Sequence, residues 1–134
     1  MIKTSQEQLR EFFRALKIPR GGIVMVHSAL FSLGIIEGGV AGFYRALREH
    51  VGENATIVVP TFTYSFRRNQ IFDIRQTPSA RNIGVFSEYV RMLPGSIRSA
   101  DPLFSMSATG AVAADLMRRT TTASFGIGSI YDRL

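Results

Sequence analysis

The sequence contains no cysteine, no tryptophan and only two histidines among its 134 residues. The absence of cysteine excludes disulfide bonds and thiolate metal sites, and two histidines argue against a zinc site built on histidine. The first residues are polar and lack the apolar core of a secretory signal. No window reaches the length of an apolar membrane span. The sequence therefore predicts a cytoplasmic protein with no bound metal and no membrane contact.

Lysine is also scarce, and arginine supplies 14 of the 16 basic residues. Together with 10 acidic residues, they give a formal net charge of +6. Such a charge suits a basic surface, a polyanionic partner or a phosphate-bearing small ligand. The arginines are dispersed and do not alternate with aromatic residues, which argues against a nucleic-acid partner. With 46% hydrophobic residues, the chain is long enough for one domain, residues 1–134, with a buried core.

Apolar periodicity predicts alternating strands and helices, and hence an α/β fold. A capping-box spacing from Thr4 to Glu7 predicts the start of the first helix. A strand over residues 23–27, expected to be buried on both faces, is followed by a helix over 39–50 and a strand over 55–59. This order predicts a βαβ unit and a largely parallel sheet. The remaining predicted elements are helices over 84–93 and 111–119 and a strand over 104–109.

The polar turn after the first predicted strand is the leading candidate site. His27 and Ser28 follow four apolar residues, and Ser32 and Gly34 precede a glycine-rich start of a helix. Strand ends that face a helix N-terminus bind phosphates, although an ordinary capped loop has the same composition. His27 is a candidate acid–base residue, because imidazole titrates near neutral pH. A structural, hydrogen-bonded histidine is the alternative.

Other polar residues extend this candidate site. Thr61 follows the next predicted strand, and adjacent parallel strands would bring it near His27. Asp73, in a long polar loop, could pair with a cationic substrate or be an exposed turn residue. Arg98 and Ser99 could bind an anion, or Arg98 could form a structural pair with Asp101.

Five motifs in order resemble those of the aminoglycoside 3-N-acetyltransferases. They are VHSAL with SLG and GG over residues 26–39, VPTFT over 59–63, FD with TPS over 72–79, RS with P over 98–102, and FGxGS over 125–129. The resemblance spans about residues 17–134. It implies that family's α/β sandwich with a largely parallel central sheet.

The resemblance also implies an activity and a set of site residues. The activity is acetyl transfer from acetyl-CoA to an amine of an aminoglycoside or related amino sugar, as in antibiotic resistance. Coenzyme A would contact the turn and its surroundings, through His27, Ser28, Ala29, Leu30, Ser32, Gly34 and Thr61. The acceptor would contact Asp73, Arg98 and Ser99.

The sequence departs from the family pattern at three positions. Ala29 stands where the motif has a second serine, Asp101 stands where the family often has histidine or asparagine, and Ile130 stands where the motif has a proline after Ser129. The chain resembles only the N-terminal half of such an enzyme, so a truncated fold without the family's catalytic histidine and glutamate is expected. Two further hypotheses stay open. One is a non-catalytic assembly module that could form homo-oligomers, and the other is an acyltransferase for other amino sugars.

Overall fold

The computed structural model describes residues 2–64, 66–67, 69–118 and 120–134, and confirms the predicted alternation of strands and helices. The strands are β1 (Lys3–Thr4), β2 (Ile23–Met25), β3 (Ile35–Ile36), β4 (Thr56–Pro60), β5 (Ile97–Arg98) and β6 (Met106–Thr109). The helices are α1 (Gln6–Ala15), α2 (Gly39–Val51), α3 (Val85–Met92), α4 (Ala113–Arg118) and α5 (Ile130–Arg133). Single 3₁₀ turns cover Leu30–Leu33 and Arg81–Ile83.

The main sheet has the strand order β2-β4-β6-β5. The β2–α2–β4 unit gives the parallel pair that the sequence predicts, and β1 and β3 form a second, two-stranded parallel sheet. The strand β6 is antiparallel to both β4 and β5. The sheet is therefore mixed, since a short connection from β5 to β6 leaves room only for a reversal of direction.

The central strand β4 divides the interior into two hydrophobic clusters, because successive side chains of a strand point to opposite faces. Ile57 and Val59 pack with apolar residues of α1, α2 and α3. Val58 packs with residues of β6, α4 and α5. All five residues of β4 are buried, so this strand fixes the position of whatever follows Pro60.

The first helix begins one residue later than the sequence predicts. Ser5 is its N-cap, and a capping box forms between Ser5 and Gln8 rather than between Thr4 and Glu7. Thr4 instead belongs to β1 and pairs with Ile36. Thr4 therefore pairs in a strand, although its residue type and spacing predict a helix N-cap.

The strand β2 is not buried on both faces, and that prediction is wrong. Ile23 is 43% exposed and Met25 is 39% exposed. Within the described sheet β2 is an edge strand with β4 as its neighbour. Exposed apolar side chains on an edge strand mark a surface suited to further packing.

Candidate functional site

The turn at residues 27–29 follows β2 and lies between two cavities. The Val26 amide donates a 2.8 Å hydrogen bond to the Val58 carbonyl, which fixes the end of β2 against β4. His27, Ser28 and Ala29 then line both cavities. One short turn therefore contacts two separate binding volumes.

The first cavity is an apolar groove of about 370 Å³. Five residues of the predicted coenzyme site line it, namely His27, Ser28, Ala29, Leu30 and Ser32. Its other walls come from apolar residues of α1, β2 and α2, including Phe12, Leu16, Val24, Met25, Phe43 and Leu47. A groove with apolar walls and a few polar groups at one end suits a long, mostly uncharged ligand arm.

The second cavity, also about 370 Å³, opens at the carboxyl ends of β2 and β4. Its walls beyond the turn are Pro60, Phe62, Tyr64, Asn82 and Ile83. The sequence reasoning did not include these residues in the site. The period of two along an extended segment could have identified Phe62 and Tyr64, because they alternate with Thr61 and Thr63.

Ser28 lies against the start of α3 rather than the start of α2. A Cβ atom added to Gly84, the N-cap of α3, would lie 3.3 Å from the Ser28 carbonyl oxygen. The segment that the sequence predicts as a glycine-rich entry to α2 contains the 3₁₀ turn Leu30–Leu33 and the strand β3, which lie between the turn and α2. The helix N-terminus close to the turn is that of α3.

The hydroxyl groups of the turn differ in their availability. The Ser32 hydroxyl donates a 2.8 Å hydrogen bond to the Ala29 carbonyl and so stabilises the 3₁₀ turn. Within the described part of the chain, the Ser28 hydroxyl makes no hydrogen bond, and His27 is exposed. Ser28 and His27 are therefore free to contact a ligand.

Gly34 and Thr61, which the sequence analysis assigns to the coenzyme, line neither cavity. A Cβ atom on Gly34 would lie 2.3 Å from the Ile2 carbonyl oxygen, so this glycine allows β1 and the 3₁₀ turn to approach closely. Thr61 is fully buried, and its hydroxyl donates to the Ser105 carbonyl at 3.1 Å. Their contact with a coenzyme stays a prediction.

Asp73 is exposed and caps a turn in the long loop. Its Oδ1 atom accepts hydrogen bonds from the amides of Arg75 and Gln76, both at 2.8 Å. These bonds, that from Gln76 first, hold the pKa of Asp73 below its ordinary value. Asp73 lines neither cavity at the turn, so its contact with an acceptor stays a prediction.

Arg98 and Ser99 are both buried. Arg98 donates from Nε to Ser105 Oγ at 2.9 Å, from Nη2 to the Thr61 carbonyl at 2.7 Å, and from Nη1 to the Thr77 carbonyl. Ser99 Oγ accepts a 2.9 Å hydrogen bond from the Met106 amide. Arg98 thus joins three backbone segments, and its proposed contact with a substrate stays a prediction.

The structural pair expected between Arg98 and Asp101 does not form. Asp101 Oδ1 accepts from the amides of Leu103 and Phe104, at 2.8 and 3.1 Å, and Oδ2 is buried without a hydrogen-bond partner in the described structure. The side chain of Asp101 therefore shapes the turn before β6 instead of neutralising Arg98.

Glu88 links α3 to the loop that precedes it. Its carboxylate accepts hydrogen bonds from the Ser79 hydroxyl at 2.7 Å and from Arg91 Nε at 2.9 Å. Burial alone would raise the pKa of Glu88, but the hydrogen bonds from Arg91 and Ser79 lower it to about 2. The ionised carboxylate thus fixes the segment that leads into the second cavity.

The described residues contain no cluster of three or more acidic, histidine or cysteine side chains that could hold a metal ion. Across the same residues, no helix combines the length and the apolar character that crossing a bilayer requires.

The model of the family described as aminoglycoside 3-N-acetyltransferase matches residues 25–134. The chain belongs to this family. Aminoglycoside N(3)-acetyltransferase IV from Salmonella sp is 35% identical over 95 residues, which make up 71% of this chain.

Two solved structures of family members superpose closely on the chain. The binary structure of AAC-IIIb with CoASH has a TM-score of 0.87 at 25% identity and covers 98% of this chain. Sisomicin-bound AAC-VIa has a TM-score of 0.86 at 27% identity and covers 96%. These superpositions confirm the α/β family fold.

The chain spans between about a third and just over half of the length of these relatives. The matched part is 35% of the Salmonella protein, 56% of the AAC-IIIb chain and 55% of the AAC-VIa chain. The activity of a whole family member is therefore a proposal for this chain, and its basis is the geometry of the turn.

Proposed function

We propose that this chain is the coenzyme-binding part of an N-acetyltransferase that transfers acetyl from acetyl-CoA to an amine of an aminoglycoside or related amino sugar. The observation that carries the proposal is the position of residues 27–29 between an apolar groove and a second pocket. Membership of the family and the CoASH complex of AAC-IIIb support the choice of coenzyme.

The groove fits the chemistry of a coenzyme A arm. Its apolar walls match the hydrocarbon segments of pantetheine, and the free Ser28 hydroxyl offers a hydrogen bond to an amide or phosphate oxygen. The amide groups at the start of α3, close to Ser28, favour negative charge. When bound, the coenzyme would supply the acetyl group as a thioester.

The second pocket is our candidate for the acceptor side. The rings of Phe62 and Tyr64 attract cationic amines through their faces, and Asn82 adds hydrogen-bonding groups. The sisomicin complex of AAC-VIa supports an amino sugar as the acceptor class. Asp73 would add a negative charge that attracts such a polycation.

The chemistry requires an amine that has lost its proton, because only the neutral amine attacks a thioester. His27 lies between the two cavities, and its imidazole is our candidate to accept that proton. Backbone amides near the turn would stabilise the negative charge on the thioester oxygen. In this proposal Ser28 and Ala29 bind and orient the thioester, and His27 is the candidate base.

Titration of the chain with coenzyme A and acetyl-CoA, followed by thermal unfolding and calorimetry, tests the proposal. We expect saturable stabilisation that Ser28→Ala weakens about fivefold, because one hydrogen bond contributes about 1 kcal/mol. Ala29→Ser, which restores the hydroxyl of the family motif, should tighten binding. Ser124→Ala, which lies outside both cavities, is the matched control. No stabilisation at millimolar coenzyme would contradict the proposal.

The open edge of β2 favours a second role in assembly. Ile23 and Met25 are exposed there beside the apolar groove, and such an edge can add a strand from another chain. We propose homo-oligomerisation through this edge, which sedimentation velocity would detect. Met25→Lys should then shift the distribution towards monomer, whereas a monomer at all concentrations would contradict this role. The proposal also includes a cytoplasmic location, which cell fractionation would test.

A further inference from the structure

A cavity of about 460 Å³ lies at the β5 edge of the sheet, the edge opposite to β2. Arginines form four of its nine lining residues, and they come from the 74–75 loop, α3, β5 and the end of α4. They are Arg75, Arg91, Arg98 and Arg118. No carboxylate is among the lining residues that the structure describes. The cavity is therefore strongly basic.

Only one of the two buried arginines is paired with a carboxylate. Arg98 is 5% exposed, and the Arg91 side chain is also 5% exposed. Arg91 forms an ion pair with Glu88, whereas the hydrogen bonds of Arg98 go to neutral oxygens of Thr61, Thr77 and Ser105. Among the described residues, the positive charge of Arg98 is therefore buried without a partner anion, an arrangement that costs free energy unless an anion binds nearby.

The electrostatics of Arg98 agree with this account. Burial, together with the positive charge of Arg91, lowers the pKa of Arg98 to about 10, with Glu88 acting in the opposite direction. Arg98 uses three of its five N–H donors in the hydrogen bonds described above, which leaves two for a ligand. The cavity thus combines excess positive charge with spare donors.

The two exposed arginines stand at the rim. The Arg118 side chain makes no ion pair or hydrogen bond in the described part of the chain, and Arg75 contributes its carbonyl oxygen to a hydrogen bond from Arg91. Charges of one sign around a concave surface concentrate the field inside it and attract ions of opposite sign. The charges of Arg75 and Arg118 therefore favour an anionic ligand, as the buried Arg91 and Arg98 do.

We propose that this cavity binds a phosphate monoester, with Arg91 and Arg98 at its floor and Arg75 and Arg118 at its rim. The planar guanidinium group matches the oxygens of a phosphate with paired hydrogen bonds, and several such groups are typical of phosphate recognition. A volume of about 460 Å³ also leaves room for an organic group attached to the phosphate. This inference does not depend on the activity proposed above.

Titration of the chain with inorganic phosphate, at an ionic strength held constant with sodium chloride, tests the proposal by calorimetry and thermal unfolding. We expect saturable binding that Arg118→Gln weakens about tenfold, because it loses a charge-assisted hydrogen bond. Arg14→Gln removes the same charge from an exposed position on α1 and should leave binding unchanged. Equal effects of phosphate and chloride, or equal losses in both variants, would overturn the proposal.

Competition experiments identify the source of the phosphate. Displacement of inorganic phosphate by coenzyme A, but not by dephospho-coenzyme A, would assign the site to the coenzyme's 3′-phosphate. Displacement by a sugar phosphate alone would support a separate phosphorylated metabolite. If none of these compounds competes while inorganic phosphate still binds, the site does not accept a monoester and the proposal fails.

Discussion

The Arg98 guanidinium lies over the Phe72 ring, with 4.8 Å between its central carbon and the ring centroid. The same guanidinium donates to the Thr77 and Thr61 carbonyls. A single buried cation on β5 thus holds the long loop against the sheet. Phe72 and Thr77 of this loop are therefore positioned in part by a residue of β5.

Replacing Arg98 should therefore destabilise the protein and loosen the loop. Arg98→Met keeps the bulk but removes the charged donor to oxygen atoms of Thr61, Thr77 and Ser105, and we expect a loss of about 3 kcal/mol in the free energy of unfolding. Arg98→Lys should recover only part of this loss, because an ammonium group lacks the planar fork. Urea unfolding measures the loss.

Limited proteolysis then tests the position of the loop. We expect faster cleavage after residue 69 and before residue 80 in Arg98→Met than in the parent chain. Arg81→Met, at an exposed position, is the control. An Arg98→Met variant that is as stable and as protease-resistant as this control would disprove the role of Arg98 in holding the loop.

Gly84 sets the distance between the turn and α3. Its φ angle of +103° and the 3.3 Å approach of an added Cβ to the Ser28 carbonyl both oppose substitution. Gly84→Ala should cost about 2 kcal/mol, of which about half arises from the backbone conformation alone. Chemical denaturation measures the loss of stability, and coenzyme titration of the same sample measures the effect on coenzyme affinity.

A variant at a second glycine separates the effect of the positive φ angle from the effect of the contact with Ser28. Gly95 has a φ angle of +80°, and an added Cβ would meet no atom within 4 Å. Gly95→Ala should therefore cost only about 1 kcal/mol and leave coenzyme affinity unchanged. If both variants lose the same stability and bind coenzyme equally well, the contact with the Ser28 carbonyl contributes no measurable free energy.

Glu88 should make the free energy of unfolding depend on pH in the acidic range. Its pKa is about 2 in the folded state against an ordinary value of 4.5, so its contribution is complete above about pH 4.5 and is lost as the pH falls towards 2. Glu88→Gln should lower the free energy of unfolding by about 1 kcal/mol at pH 7, a figure reduced for the partial exposure of the pair.

Unfolding curves between pH 2 and 7 measure this dependence. The difference between the parent chain and Glu88→Gln should shrink across the window from 4.5 to 2. Glu11→Gln, at an exposed position on α1, is the matched control. A constant difference at every pH would argue that the hydrogen bonds of Glu88 do not require its charge.

Local pattern was sufficient for most of the secondary structure. Apolar periodicity and Gly52 predicted α2 almost to the residue, and the apolar run before Pro60 predicted the buried strand β4. The exposure of β2 could not be predicted in this way, because the apolar run over residues 23–26 is compatible with either an edge strand or a central strand. Only strand order distinguishes them.

For the candidate site, the sequence determined the residues of the turn and tertiary structure decided their surroundings. The motif around His27 and Ser28 is local, and its order with the other motifs was sufficient to indicate the family. The contact with Gly84 and the second cavity depend on chain segments more than 30 residues away, and the first cavity depends on α1 and α2 on either side of the turn. Packing against β4 and α3 brings these segments together, and no local pattern encodes that distance.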